Sequence, residues 1–255
     1  MIITDTHTHL YSKQFDEDRQ RIMLRALDNG VSRFFIPAID SSYTESMLRL
    51  ENDYPKNVFL MMGLHPTSVK ENYLEELTLV KDWLERRSFY AVGEIGIDLY
   101  WDTSFLQQQQ DAFKTQIKWA KEKNLPIVIH CRNSFDEIFE VLEEEKDDKL
   151  FGIFHCFTGS LDQAQRAISY NMKLGIGGVV TFKNGGIDKF LHKIPINNIV
   201  LETDSPYLAP VPFRGKRNES SYIIKVLDKL VDIYKLTPQE IALITTQNSI
   251  EIFGI

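Results

Sequence analysis

The sequence predicts an α/β protein, a (β/α)₈ TIM barrel forming a single domain over residues 1–255. Three observations carry that expectation. β-Branched and aromatic runs alternate with helix-period segments along the whole chain, the pattern of a parallel sheet with crossover helices. Eight such repeats in 255 residues match a closed barrel, which routinely fills this length as one unit. The first run ends in histidine, where a doubly wound nucleotide-binding sheet would place a Gly-x-Gly turn.

Taken in order, strands are expected at residues 2–7, 34–39, 59–63, 90–95, 126–131, 151–155, 173–176 and 199–202. Helices are expected between them, at 19–29, 75–87, 106–124 and 162–171 among others. Ser134 with Glu137 and Ser160 with Gln163 have capping-box spacing just after predicted strands, which implies short βα connections. A third box, Thr237 with Glu240, opens a C-terminal helix. No break in composition marks a second domain, and no internal repeat is visible at the residue level. The run Glu143-Glu144-Glu145-Lys146-Asp147-Asp148 reads as a solvated helix end.

Composition narrows the functional classes. The chain is 43% hydrophobic and 25% charged, ordinary for a folded domain, and its 29 basic and 36 acidic residues leave a net charge of −7. Such a balance argues against coating a duplex or an anionic membrane through the field of the whole molecule. No apolar run reaches the roughly 18 residues of a membrane span, and the first residues lack a signal-peptide pattern, so the expected location is the cytoplasm. Cys131 and Cys156 form neither a disulfide framework nor a C-x-x-C pair.

The chemistry gathers where barrel enzymes keep theirs, at the C-terminal ends of the strands. His7 and His9 form a His-x-His pair after the first run, and a period of two aims both imidazoles the same way. Glu94, His130, His155 and Asp204 end or follow predicted strands four, five, six and eight. These six donors suit divalent ions, and six exceed the three or four ligands of one catalytic zinc, so two ions are expected. Parity puts Arg132 on the face of His130, and Glu202 on that of Asp204, both at the barrel mouth, where a guanidinium beside metals suits phosphate. A surface ion pair between Arg132 and Asp136 is the rival reading. By the same parity Cys131 and Cys156 should face the helix layer as inert packing. The loop from Pro206 to Asn218 ends in Arg214, Lys216 and Arg217, a cluster expected to make the mouth locally positive. His65 stands at the same edge as a substrate contact or a turn histidine, Tyr100 and Trp101 as base-stacking or packing aromatics, and His192 reads as surface.

These motifs resemble those of the TatD-like metal-dependent deoxyribonucleases. The likeness is carried by Asp5-Thr6-His7-Thr8-His9, Gly63-Leu64-His65-Pro66, Gly93-Glu94-Ile95-Gly96-Ile97-Asp98, Ile129-His130-Cys131-Arg132, His155-Cys156-Phe157-Thr158-Gly159, Thr181-Phe182-Lys183-Asn184, Glu202-Thr203-Asp204-Ser205-Pro206 and Arg214-Gly215-Lys216-Arg217-Asn218. It spans residues 5–218, and 248–253 is similar to the family's C-terminal ending; Ser220 stands where the family often has Pro. The resemblance implies a distorted TIM barrel whose His7, His9, Glu94, His130, His155 and Asp204 hold two, in some members three, divalent ions, Mg²⁺, Mn²⁺ or Zn²⁺, with Glu94 bridging. It further implies phosphodiester hydrolysis, typically trimming single-stranded DNA or oligonucleotides from the 3′ end. In that chemistry Asp204 would be the general base, Glu202 would steady a ligand, and Arg132 and Arg214 would bind phosphate. A monomer is expected. Two other readings stay open: a metal-dependent ester or amide hydrolase, such as a deacylase of mischarged tRNA, and a barrel that binds a partner without turnover.

Overall fold

The computed structural model describes every residue from Met1 to Ile255. Eight parallel strands run in chain order: β1 (Ile3–Asp5), β2 (Val31–Ile36), β3 (Val58–Leu60), β4 (Val92–Asp98), β5 (Ile127–Arg132), β6 (Gly152–Phe154), β7 (Met172–Ile176) and β8 (Ile199–Leu201). Continuous ladders join β1–β2–β3 and β4–β5–β6–β7–β8. Backbone bonds stitch both remaining seams. Gly93 N donates to Met62 O at 3.0 Å between β4 and the end of β3, and Thr6 N donates to Leu201 O at 3.0 Å between β1 and β8. The ring thus closes as the expected (β/α)₈ barrel, with irregular pairing at the two seams.

The helices are α1 (Arg19–Asp28), α2 (Thr44–Asp53), α3 (Tyr73–Arg86), α4 (Leu106–Lys123), α5 (Phe135–Glu144), α6 (Leu161–Ser169), α7 (Ile223–Tyr234) and α8 (Pro238–Phe253). The boxes at Ser160/Gln163 and Thr237/Glu240 form on both sides. The one expected at Ser134/Glu137 does not: Ser134 Oγ donates instead to Ile97 O on β4 at 2.6 Å, so a tertiary acceptor outcompetes the local one. The repeat also fails between β7 and β8. There Gly177, Gly178, Gly185, Gly186 and Pro195 interrupt any helix, and the chain makes short 3₁₀ turns at Gly178–Thr181, Ile187–Lys189, Leu191–Lys193 and Ile196–Asn198. Helix α7, after β8, packs over the first of these turns and covers that flank.

Strand parity divides the core in two. Outward residues such as Phe34, Ile36, Ile127 and Ile129 meet the helices in one large apolar layer. Inward residues Phe35, Met61, Ala91, Val128, Ile153 and Val200, drawn from strands or strand edges around the ring, meet one another along the axis. The last turn of α8 adds Ile252 and Phe253, and the Phe253 ring stacks on Phe35 with centroids 3.7 Å apart. The barrel is therefore floored with hydrocarbon at its N-terminal end. Polar chemistry is confined to the opposite end.

Candidate active site

Five of the six histidines converge at that opposite end. Glu94 lies at the centre of the group: its carboxylate is 3.1 Å from His7 Nε2, 3.7 Å from His9 Nε2, 3.2 Å from His65 Nε2, 2.7 Å from His130 Nδ1 and 3.6 Å from His155 Nε2. Asp204 faces the same group from β8's side, 3.5 Å from His9 Nε2 and 3.9 Å from both His7 and His155. The His7 and His155 rings stack 3.5 Å apart. All six expected metal ligands are brought together, at the bottom of a cavity of about 700 Å³.

Hydrogen bonds behind the rings settle which nitrogens face the centre. Tyr11 OH donates to Pro37 O at 3.0 Å, so at 2.9 Å it accepts from His9 Nδ1 and leaves the Nε2 lone pair pointing at Glu94 and Asp204. Glu202 backs His155 by charge: its Oε1 lies 3.1 Å from Nδ1 without hydrogen-bond alignment, while accepting the Cys156 N–H at 2.7 Å. Asp98 Oδ2 lies 2.8 Å from His130 Nε2, which frees Nδ1 for the centre. His65 differs. Thr67 N donates to His65 Nδ1 at 3.1 Å, so the neutral ring carries its proton on Nε2 and donates it to His130 Nδ1 at 3.3 Å, with Glu94 Oε1 3.2 Å away.

Electrostatics follow from burial and crowding. Desolvation alone would lower the His155 pKa, but Glu202, Glu94 and Asp204 around it raise it to about 10. Burial opposes the Glu94 charge, yet His65, His7 and His155 hold its carboxyl well below the usual range. His7 and His65 are pushed down, chiefly by burial. The carboxylates thus demand positive charge at a place where imidazoles supply it at a desolvation cost. Both His7 nitrogens and Glu94 Oε2 are buried without any hydrogen-bond partner. Orphaned donors of this kind, imidazole nitrogen beside carboxylate oxygen, fit a divalent cation.

Below the site, Asp5 is fully buried, accepts from Thr203 N and Oγ1 at 2.9 and 2.6 Å, and is pushed by burial to about 7. It fixes the turn after β8 on which Asp204 stands with φ of 56°. Above the site, Arg132 lines the cavity and stacks over the rings of Tyr100 and Trp101, 3.8 and 5.3 Å from their centroids. An adjoining groove shares Thr158 and Val179 with the cavity and holds Lys183 and Arg214, the latter 3.7 Å over the Phe182 ring.

Comparison with known proteins places the molecule. The family model described as TatD related DNase matches residues 4–254. The chain belongs to the TatD-related DNase family. It is 37% identical, over the whole of both chains, to YabD of Bacillus subtilis, an uncharacterized metal-dependent hydrolase. It is 29% identical to a Pantoea vagans protein named 3′-5′ ssDNA/RNA exonuclease TatD, covering 98% of this chain and 99% of that one. The crystal structure of the TatD homolog YjjV from Escherichia coli superposes with a TM-score of 0.93 at 30% identity, covering 99% and 98% of the two chains. This TatD-family protein is a metal-dependent hydrolase.

Several residues sit elsewhere than expected. Glu202 does not reach the mouth; it is buried against His155, in space that exists because residue 175 is glycine. Cys156, with φ of 45°, leaves the strand path and lines the cavity instead of facing the helices, whereas Cys131 packs on the core and also borders the cavity. His65 joins the imidazole group and also lines the cavity. Arg217 is drawn away from the mouth, 2.6 Å from Asp18 and stacked over Phe15, so the basic loop contributes Arg214 to the groove but not Arg217. Arg132 makes no ion pair with Asp136, while His192 is exposed as expected. Two positioning roles escaped the sequence reading, that of Asp98, which entered only as part of a motif, and that of Tyr11. Period-two spacing could have found them, since Asp98 follows Glu94 by four and Tyr11 follows His9 by two.

Proposed function

We propose that this hydrolase is a phosphodiesterase that removes nucleotides from the 3′ end of single-stranded DNA. The observation that carries the reading is a pair of guanidinium groups, Arg132 in the cavity whose floor is a carboxylate–imidazole cluster and Arg214 in the groove that adjoins it. Neither pairs with a carboxylate, so both charges remain available to a phosphate. The printed name of the Pantoea relative supports the strand polarity.

His7, His9, Glu94 and Asp204 would hold one divalent ion, and Glu94, His130 and His155 a second. Bound there, such ions supply Lewis acidity to phosphoryl oxygen and lower the pKa of a ligated water. The chain's own residues do the rest. Asp204 is the general base: its side chain is 13% exposed, against 2% for Glu94 and 0% for Glu202, so it alone among them can meet water and remove its proton. Glu202, Asp98 and Tyr11 keep His155, His130 and His9 in register. Arg132 and Arg214 orient the phosphodiester and offset its charge.

A 5′-labelled single-stranded oligonucleotide incubated with the protein and Mg²⁺ or Mn²⁺ tests this. A ladder shortening from the 3′ end, abolished by EDTA, is the expected result. An oligonucleotide left intact under every metal would overturn the proposal and turn attention to carbonyl esters, including aminoacyl-tRNA.

A further inference from the structure

Trp101 is 70% exposed although it lines the cavity that holds Glu94 and Asp204, and its neighbour Tyr100 is 53% exposed. An indole in water forgoes the burial that ordinarily stabilises it, so its placement calls for a reason. The loop that carries it is not slack. Asp98, already bonded to His130, accepts the backbone N–H of Tyr100 at 2.9 Å and of Trp101 at 3.2 Å. At the loop's far side Lys70 pairs with Asp102 at 3.0 Å and lies over the Phe105 ring. The two aromatic rings stand edge to face with centroids 5.0 Å apart, and the Arg132 guanidinium sits over both. Of the three tryptophans Trp101 alone is exposed; Trp83 and Trp119 are half-buried.

We infer that Trp101, braced by Tyr100 and Arg132, is a stacking platform for a nucleobase next to the scissile phosphate. The inference rests on the proposed nuclease reading and specifies how the strand is gripped. An aromatic face accepts any base, and the adjacent cation accepts the phosphate that follows it, which is the pairing of groups that single strands require. A base can reach Trp101 only if it is unpaired, so the platform also selects single strands over duplex. Because Asp98 ties the backbone of both aromatic residues to His130, the base is held in fixed relation to the ligand cluster. Trp101 also lines the same cavity as Glu94 and Asp204, which makes substrate its occupant, not a protein docked on the outer surface.

The test uses the metal-loaded protein and 5′-labelled oligodeoxyadenylates carrying one abasic residue at the last, second-last or third-last position. The wild-type protein is expected to lose roughly tenfold in kcat/KM at one of those positions, mainly through KM. Trp101→Ala should erase that position dependence, and Trp101→Phe should restore most of it. A lost brace that merely loosened the site would lower all substrates alike. Independently, a phosphorothioate hexadeoxyadenylate should quench tryptophan fluorescence in the wild type and not in Trp101→Ala. Unchanged position dependence in Trp101→Ala, with cleavage intact, would overturn the platform and leave the nuclease reading standing. Quenching without cleavage of any oligonucleotide would keep the platform and remove the nuclease reading; neither cleavage nor quenching would remove both.

Discussion

Gly175→Ala should damage the site without substituting any proposed ligand. A Cβ on residue 175 would lie 2.1 Å from Glu202 Oε2, 2.8 Å from its Cδ and 3.2 Å from the His155 Cα. The Glu202 side chain has no room to retreat, being fully buried with Oε1 bound to the Cys156 N–H at 2.7 Å and set against His155 Nδ1 at 3.1 Å. Forced movement costs the overpacking strain of about 1–3 kcal/mol plus at least one charge-assisted hydrogen bond of about 1.5–3 kcal/mol. A total of roughly 2.5–6 kcal/mol corresponds to a fall in Tm of roughly 5–24 °C for a domain of this size. The His155 ring loses its brace, so divalent-metal affinity should drop by about 10- to 100-fold. Gly177→Ala is the control: its Cβ would meet Glu202 Oε1 at an ordinary 3.5 Å, and its backbone suits alanine. Thermal denaturation and calorimetric Mn²⁺ titration of both variants check the reasoning. If Gly175→Ala melted within about 2 °C of Gly177→Ala and bound Mn²⁺ equally well, the account of Glu202 would be wrong.

Other outcomes follow from the same geometry. Asp204→Asn should lower oligonucleotide turnover by about a thousandfold or more while circular dichroism and melting stay close to wild type, because the base is lost and the shape kept. Stripping metal with EDTA should lower Tm by roughly 5–10 °C, with recovery on adding Mn²⁺ or Zn²⁺, since a cation bound at about 100 times its Kd contributes about 2.7 kcal/mol; a Tm indifferent to EDTA would deny the cluster its cation. Asn218→Ala removes an amide that donates to Thr203 O at 2.8 Å and Tyr207 O at 2.7 Å, and whose Oδ1 accepts the Glu219 N–H at 2.9 Å. The stranded backbone groups should cost about 2–5 kcal/mol and release the loop after β8, read as lower Tm and earlier proteolysis between Pro206 and Arg217.

Much of this site could be read from one sequence because β-strand geometry is simple. Each expected strand overlaps an observed one, and the six donors at their ends do converge, since in a closed parallel barrel all C-terminal ends share one face. Legibility stops where the backbone leaves the extended region. Cys156 and Asp204 have φ of 45° and 56°, so counting by twos beyond Phe154 and Leu201 sends Cys156 to the wrong side. It stops again where a distant residue decides. Ser134 has good local capping chemistry but finds Ile97 O across a strand boundary, and the Glu202 carboxylate is buried in space that Gly175 on the neighbouring strand leaves for it. Charge counts mislead likewise: three cations near residue 215 look like one patch until Asp18 claims Arg217.

The hydrocarbon floor under the ligand cluster has a kinetic consequence. With Phe253 stacked on Phe35, the barrel has no second exit, and whatever enters by the mouth leaves by it. On the nuclease proposal the excised nucleotide lies deeper than the strand that delivered it, so the strand must let go before the nucleotide can escape. Each cut then ends an encounter. A distributive ladder, in which an excess of unlabelled strand added after the first turnover halts shortening of the labelled one, is the behaviour such a blind-ended chamber imposes; continued shortening of the same labelled molecules would show that the nucleotide has another way out.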